Sequence, residues 1–342
     1  MTKKDTGVKA QTDFNKKKEP ISDKLPRYFL LIVLVVVAAV FGIANPRLYG
    51  LTGMTTIIST FSIQGIIALG LMMEMTTGNF DLAIGANAGF AAAVVGAIMS
   101  YAPPKFYIPA VIIGILAAML VGGLNAFITV KIGVPAFIGT MAMRSVLSGL
   151  ISYMTKNVTY FSKNWDNTFR FIGQSKIGGI IPCPLIFFVV ICFATYLFLE
   201  RSKTGRYIYA TGANRTAALN VGIPVIKMQV LSFIIGGGLA AIGGILHSSR
   251  NFQTSVQMGL DLQLPAQICC LLGATFLTPG KYNVRGCIVG IVLTSIITNG
   301  VYSTIGSAIY IKSIIEGVTF MISIGLIAKI RKEGLPKVSF DI

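Results

Sequence analysis

Acidic side chains are scarce in this 342-residue chain: 12 Asp and Glu stand against 29 Lys and Arg. Charged residues make up only 12% of it, about half of what a soluble domain carries. So little charge cannot cover a water-facing surface of this size, which excludes a soluble globule. Histidine is nearly absent, with His247 alone, and the five cysteines (Cys183, Cys192, Cys269, Cys270 and Cys287) contain no C-x-x-C. That argues against a structural zinc site or a disulfide framework, and the cysteines read as small hydrophobes. The G-x-x-x-x-G-K-[ST] loop is missing, so the chain has no phosphate cradle of its own. No H-E-x-x-H and no serine or cysteine triad stands out. No catalytic or metal-binding residue is assigned.

What is present is apolar. Hydrophobic residues make up 54% of the chain, with a mean hydropathy of +0.75. About ten apolar segments follow one another: 29–44, 54–76, 83–100, 108–130, 134–154, 182–200, 224–246, 263–278, 286–304 and 311–330. Several fall short of the roughly 20 residues a straight span needs, and those at 83–100 and 263–278 are expected to be broken or tilted. The expected fold is an all-α polytopic membrane protein of about ten transmembrane helices. Residues 1–28 form a basic tail, 29–330 the membrane domain and 331–342 a second tail.

The net charge of +17 could suggest nucleic acid. Its placement argues otherwise, because the basic residues sit in short loops and termini beside apolar spans, as the positive-inside rule requires. With the N-terminus inside, the gap after segment six places Arg201, Lys203, Arg206, Arg215 and Lys227 in the cytoplasm. The gap after segment eight does the same for Lys281 and Arg285, and an even span count puts both termini inside. The stretch 155–181 breaks the pattern, with Lys156, Lys163, Arg170 and Lys176 on the outer side. Its aromatics (Phe161, Trp165, Phe169 and Phe171) would accommodate this by anchoring the loop along the interface.

Two polar breaks stand out. The first, TTGNFDLAIGAN at 76–87, contains Asp81. An acid there is costly unless it lies at an interface or in a polar cavity. Either Asp81 caps the start of the third helix, or the break lines a route through the membrane or braces two halves. Glu74, Arg144 and Glu316 raise the same question and are expected to face protein or a polar path. The second break, RSKTGRYIYATGANRTAALNVGI at 201–223, has four basic residues and no acid. Residues 214–220 can form a short helix capped by Asn214 and ended by Gly222 and Pro224. It reads as a basic loop satisfying charge topology or as a docking helix for a cytosolic partner.

TTGNFDLAIGANAGF (76–90), GGLNAFITVKIGVPAFIGTMAMRSVLSGL (122–150), GRYIYATGANRTAALNVGIPV (205–225) and LLGATFLTPGKYNVRGCIVGIVL (271–293) carry a resemblance. Together they resemble the permease subunits of bacterial ATP-binding-cassette importers for simple sugars, of the ribose, xylose, galactose and autoinducer-2 type. That group lies within a wider family that includes branched-chain amino acid and nucleoside permeases. The resemblance implies a type II importer-like fold in a bacterial plasma membrane and import of a small polar solute. The partners it implies are a cytoplasmic ATPase that binds the ATP and Mg, an extracytoplasmic solute-binding protein, and a second permease copy or a sister chain. It places the transport pathway near Asn79, Asp81, Asn125, Pro135, Phe137 and Thr140. It places ATPase coupling on Gly205, Arg206, Gly212, Asn214, Ala217, Ala218 and Gly222. Where the pattern usually has more glycine, this chain has Asn79-Phe80 before Asp81 and Thr278–Asn283 in the late motif. An ion-coupled carrier complete in one chain is the other reading, disfavoured by the lack of acids and histidines running through the spans.

Overall fold

The computed structural model describes residues 21–101, 106–161, 165, 167–304 and 309–332. The expected tails therefore lie largely outside the described residues. Helix α1 (Ile21–Ala44) leads through a short 3-10 turn to α2 (Leu51–Thr76), then α3 (Ile84–Tyr101) and α4 (Tyr107–Ala126) follow. A π-helical turn at Phe127–Ile132 extends α4 and stops at Gly133, whose φ of 87° closes the helix. Helix α5 (Ala136–Thr155), strand β1 (Tyr160–Phe161), α6 (Asn167–Gln174), β2 (Lys176–Ile177) and β3 (Ile181–Pro182) come next. Helix α7 (Cys183–Tyr196) runs through a second π-turn into α8 (Lys203–Ala213) and α9 (Arg215–Asn220). The chain ends with α10 (Val225–Asn251), β4 (Gln253–Thr254), α11 (Val256–Leu260), α12 (Gln263–Gly273), α13 (Val284–Thr304) and α14 (Ile309–Lys332). Among the described residues the strands form two short antiparallel pairs, β1 with β4 and β2 with β3.

Helix α10 is the centre of the bundle, packed by α2, α3 and α4. Its run of small residues permits this. A Cβ added at Gly244 would lie 2.0 Å from the Ala88 carbonyl, and one at Gly237 2.5 Å from the Ala118 carbonyl. Backbones this close gain dispersion contact that larger side chains would prevent. The core behind them is built from Ile66, Ile67, Leu71, Met72 and Met73 of α2 with Ala266, Cys269 and Cys270 of α12.

Other helices turn large apolar side chains outward. The apolar windows of α4 and α7 are only 33% and 22% buried, against 78% for α2. Ile112, Leu116 and Leu120 on α4, and Val190 and Phe193 on α7, are exposed. Faces this apolar belong in lipid.

Helices occupy all ten apolar segments; among the described residues six are long and apolar enough to cross a membrane, with two shorter apolar stretches at Leu30–Ala44 and Ser313–Leu326. Helix α12 has eleven residues, roughly 16 Å of rise and about half a bilayer. Helix α5 has the length, but Thr140, Arg144, Ser145 and Ser152 lower its hydropathy. The outer stretch also differs from expectation. Trp165 and Phe169 are buried rather than anchored in lipid, and Trp165 meets Phe169 and Phe252 edge-on at 5.6 Å each. Two of its basic residues bond to neutral side chains: Arg170 Nε donates to Gln174 Oε1 at 2.6 Å, and Lys176 Nζ to Thr55 Oγ1 at 3.3 Å.

Candidate functional site

The first polar break is a buried, non-helical corner between α2 and α3. Helix α2 ends as Thr77 and Asn79 amides both return to the Glu74 carbonyl, at 3.0 and 3.2 Å. Gly78, with φ 89°, makes the turn. The Asp81 carboxylate then accepts from the Ala83 amide, just ahead of the first residue of α3. The Asp81 carboxylate thus supports the turn into α3, close to the capping alternative that the sequence left open. It does not act alone, because backbone buried at membrane depth must find every partner inside the protein.

Three distant helices supply those partners. Thr140 of α5 accepts from the Leu82 amide at 2.9 Å and donates to the Ala136 carbonyl at 2.7 Å. Gln263 of α12 accepts from the Gly85 amide at 2.7 Å and donates to the Asp81 carbonyl at 3.2 Å. The Ser232 hydroxyl of α10 meets that of Thr77 at 3.1 Å, and Asn79 Nδ2 donates to the Thr77 hydroxyl at 2.9 Å. Glu74 is buried beside Asp81. Its Oε1 occupies the space a Cβ on Gly236 would need.

Of the six expected pathway residues, Asn79, Asp81 and Thr140 come together here. Asn125 is buried on α4, and neither of its side-chain polar atoms has a hydrogen-bond partner. Pro135 stands exposed at the start of α5 and Phe137 is half-buried one turn below Thr140. Ser232 and Gln263 were not singled out from the sequence, although a polar residue inside an apolar segment was the available signal. Glu74 and Glu316 are buried and Arg144 is half-buried, so all three keep protein contact as expected. At the far end of α5, Tyr101, Ser152, Tyr153, Lys156 and Asn157 line an open cavity of about 590 Å³.

The second break forms two helices where one was expected. Ser202 caps α8 by accepting from the Gly205 amide at 2.9 Å. Gly205, Ile208 and Thr211 form its buried face, a spacing of three residues that was legible in the sequence. Close backbone contact sets both ends of this face. A Cβ on Gly205 would lie 2.2 Å from the Leu199 carbonyl, and one on Gly212 1.9 Å from the Thr76 carbonyl. The inner end of α2 and the second break are thus in direct contact. Burial pushes the phenol of Tyr209 above its ordinary value, with Glu200 adding to the effect.

Asn214 turns the corner and caps α9, accepting from the Ala217 amide at 2.9 Å. Gly222, with φ 79°, ends it while the Ile223 amide returns to the Ala218 carbonyl at 3.0 Å. Ala218 faces inward; Arg206, Arg215 and Ala217 are exposed, as are Leu219, Val221 and Ile226. An exposed mix of aliphatic and basic residues on a capped helix is suited to receiving another protein. Asn214→Ala should cost α9 about 1 kcal/mol. The check is faster proteolytic cleavage at 214–222, with unchanged membrane insertion. The two basic gaps lie on one face, since Lys281 Nζ sits 4.1 Å above the Tyr209 ring and Arg285 donates to the Tyr196 hydroxyl at 3.1 Å.

The family model described as "Branched-chain amino acid transport system / permease component" matches residues 53–324. The chain belongs to this family. The permease is 27% identical over 295 residues to the ribose import permease of Escherichia coli K12, covering 86% of this chain and 91% of that one. It is 27% identical over 305 residues to the ribose import permease of Bacillus subtilis 168, covering 89% and 92%. It is 26% identical over 303 residues to an autoinducer 2 import system permease of Photorhabdus temperata, covering 87% and 89%. Among solved structures it is similar to an inward-facing conformation of a transporter assigned to the metal-chelate ABC type. The TM-score is 0.53 at 15% identity, covering 90% of this chain and 99% of the other. That likeness concerns the fold. The permease is a multi-pass plasma-membrane component of a bacterial ABC-type importer, one part of an architecture with a separate ATPase and a binding protein. It transports and does not catalyse.

Proposed function

We propose that this permease imports a simple sugar, of the pentose kind or a close relative, delivered by an extracytoplasmic binding protein. The observation that carries the mechanism is the exposed, doubly capped α9 at the end of α8. In this reading a cytoplasmic ATPase grips α9 around Asn214–Gly222, and its stroke enters the bundle where Gly212 meets Thr76. The corner at 77–83 then moves with α2 and carries the change to α5, α10 and α12. The termini are cytoplasmic, on the same side as α9.

The solute route runs along the exposed face of α5, between this chain and a second copy or a sister chain. Met141, Ala142, Ser145, Gly149 and Tyr153 make up part of that face. Ile138, Val146 and Leu150 are exposed on α5 as well, but Ala142, Ser145 and Gly149 have no counterpart in the lipid-facing stripe of α4, and this supports a protein or water neighbour over lipid. Pro135, Phe137 and Thr140 lie at its inner end, and the cavity at Tyr153–Asn157 at its outer end. Asn79, Asp81 and Asn125 act from behind α5, bracing the route rather than lining it. The sugar assignment is supported by similarity to ribose import permeases along nearly the whole chain. A branched-chain amino acid is the second reading, favoured by the description of the family model, and a nucleoside belongs with it.

The experiment is uptake into proteoliposomes holding the permease, its ATPase and its binding protein. Ribose, xylose and arabinose are compared with leucine, valine and adenosine. ATP-dependent uptake confined to a sugar is expected. Uptake of leucine or adenosine alone would replace the sugar, and uptake surviving removal of the ATPase would sink the coupled-import reading. Arg206→Ala with Asn214→Ala should abolish stimulation of the ATPase while the protein still inserts.

A further inference from the structure

A groove of about 380 Å³ lies between the end of α7, α8 and the segment 277–285, away from α9. Its charged lining is Arg206, Lys281 and Arg285, with Glu200 as the one carboxylate. Arg201 is close by, since it and Arg285 both act on the Tyr196 hydroxyl, so four basic residues stand against one acid. Arg206 and Lys281 contact neutral groups, while Arg285 also feels the Glu200 carboxylate. Lys281 Nζ stacks over the Tyr209 ring, Arg285 donates to the Tyr196 hydroxyl at 3.1 Å, and Arg206 donates to the Arg201 carbonyl at 3.4 Å. Arg206, Lys281 and Arg285 are all exposed. The cluster therefore retains positive charge that the protein itself does not offset.

The position of the groove selects the ligand. Arg201 ends the α7 span and Arg285 begins the α13 span, so both sit at the depth of lipid headgroups rather than beyond it. Directly outward, α7 turns Val190, Phe193 and Leu197 toward lipid. Tyr196, at the end of α7, accepts from Arg285 at 3.1 Å where the apolar face gives way to the cations, the aromatic placement typical of a membrane–water interface. A cluster of basic residues immediately beside a span attracts anionic headgroups. An acidic protein surface would need cations standing clear of the bilayer, as Arg215 does on α9.

We propose that this groove binds the phosphate headgroup of an anionic phospholipid, with one acyl chain lying along the exposed face of α7. The lipid would bridge α8 to the 277–285 segment, so the helix that leads to α9 would be tethered to the bilayer. The binding site is independent of which solute is carried.

The test uses the purified full-length permease, stripped of lipid in detergent, and native mass spectrometry with added phosphatidylglycerol or phosphatidylcholine. The wild type should retain phosphatidylglycerol preferentially. The double substitution K281A/R285A should weaken that binding about thirtyfold, taking each basic residue as worth roughly a factor of five at an anionic surface. Glu200→Gln should strengthen it, a gain that misfolding cannot imitate, and K281R/R285K should preserve it. Equal binding of both lipids, or no change in K281A/R285A, would overturn the proposal. Displacement of the lipid by millimolar glycerol phosphate would reassign the groove to a free anion. Loss of ATPase capture in K281A/R285A with unchanged lipid selectivity would reassign it to the partner protein.

Discussion

Gly212→Val abolishes ATP-driven uptake while leaving the protein in the membrane: that is the expected result of filling the contact between α8 and α2. The Cβ alone would stand 1.9 Å from the Thr76 carbonyl, and the obstacle is backbone, which cannot rotate away. Helix α8 must shift off the end of α2, and overpacking of this kind costs roughly 1–3 kcal/mol. The larger consequence is mechanical, because the contact is the shortest path from α9 to the polar corner. Gly317 on α14 provides the control: open space surrounds it, so Gly317→Ala should retain most uptake. The measurement is uptake and ATPase stimulation side by side in proteoliposomes. Full coupling in Gly212→Val would rule out force transfer through this contact.

Gln263→Leu is expected to lower stability most among single changes at the polar corner. The side chain bonds to both the Gly85 amide and the Asp81 carbonyl. Leucine fills similar space but leaves both groups buried without partners. At about 1–3 kcal/mol for each orphaned group, the loss is roughly 2–6 kcal/mol, enough to unfold a marginal membrane protein. Thr140→Val removes a single acceptor, that for the Leu82 amide, and should cost about half as much. Thermal unfolding in detergent measures the total, and hydrogen exchange localises it to the amides of residues 82–85. Unchanged protection of those amides in Gln263→Leu would show that the corner is held by something else.

Much of the second break was legible because its signals are local. A cap at Asn214, a left-handed glycine at Gly222 and a proline after it depend only on neighbouring residues. Helix α8 was also legible in the spacing of Gly205, Ile208 and Thr211, yet it was read as part of one loop because the basic residues dominated. At the first break, capping was one of the roles left open for Asp81, and its carboxylate does accept from the Ala83 amide. Its other supports were not visible, since Thr140 bonds 58 residues away from Leu82 and Gln263 bonds 178 residues away from Gly85. Nor did hydropathy distinguish α12, which is apolar because it is buried in protein, from α4, which is apolar because it faces lipid. Trp165 shows the same limit, since an aromatic residue near a span end suits an interface and a core equally well.

By itself the sequence determined that this is a membrane bundle, which of its segments are helical, and where its two polar breaks fall. Those properties follow from transfer free energy and local backbone preference, which act residue by residue. Only the tertiary structure decided which helices face lipid, which side chains satisfy the buried corner at 77–83, and that Gly212 joins that corner to α8. The physical reason is that a buried polar group must find a partner wherever helix packing brings one. In this chain the close approach of helix backbones at glycine, above all along α10, sets which partners come within reach.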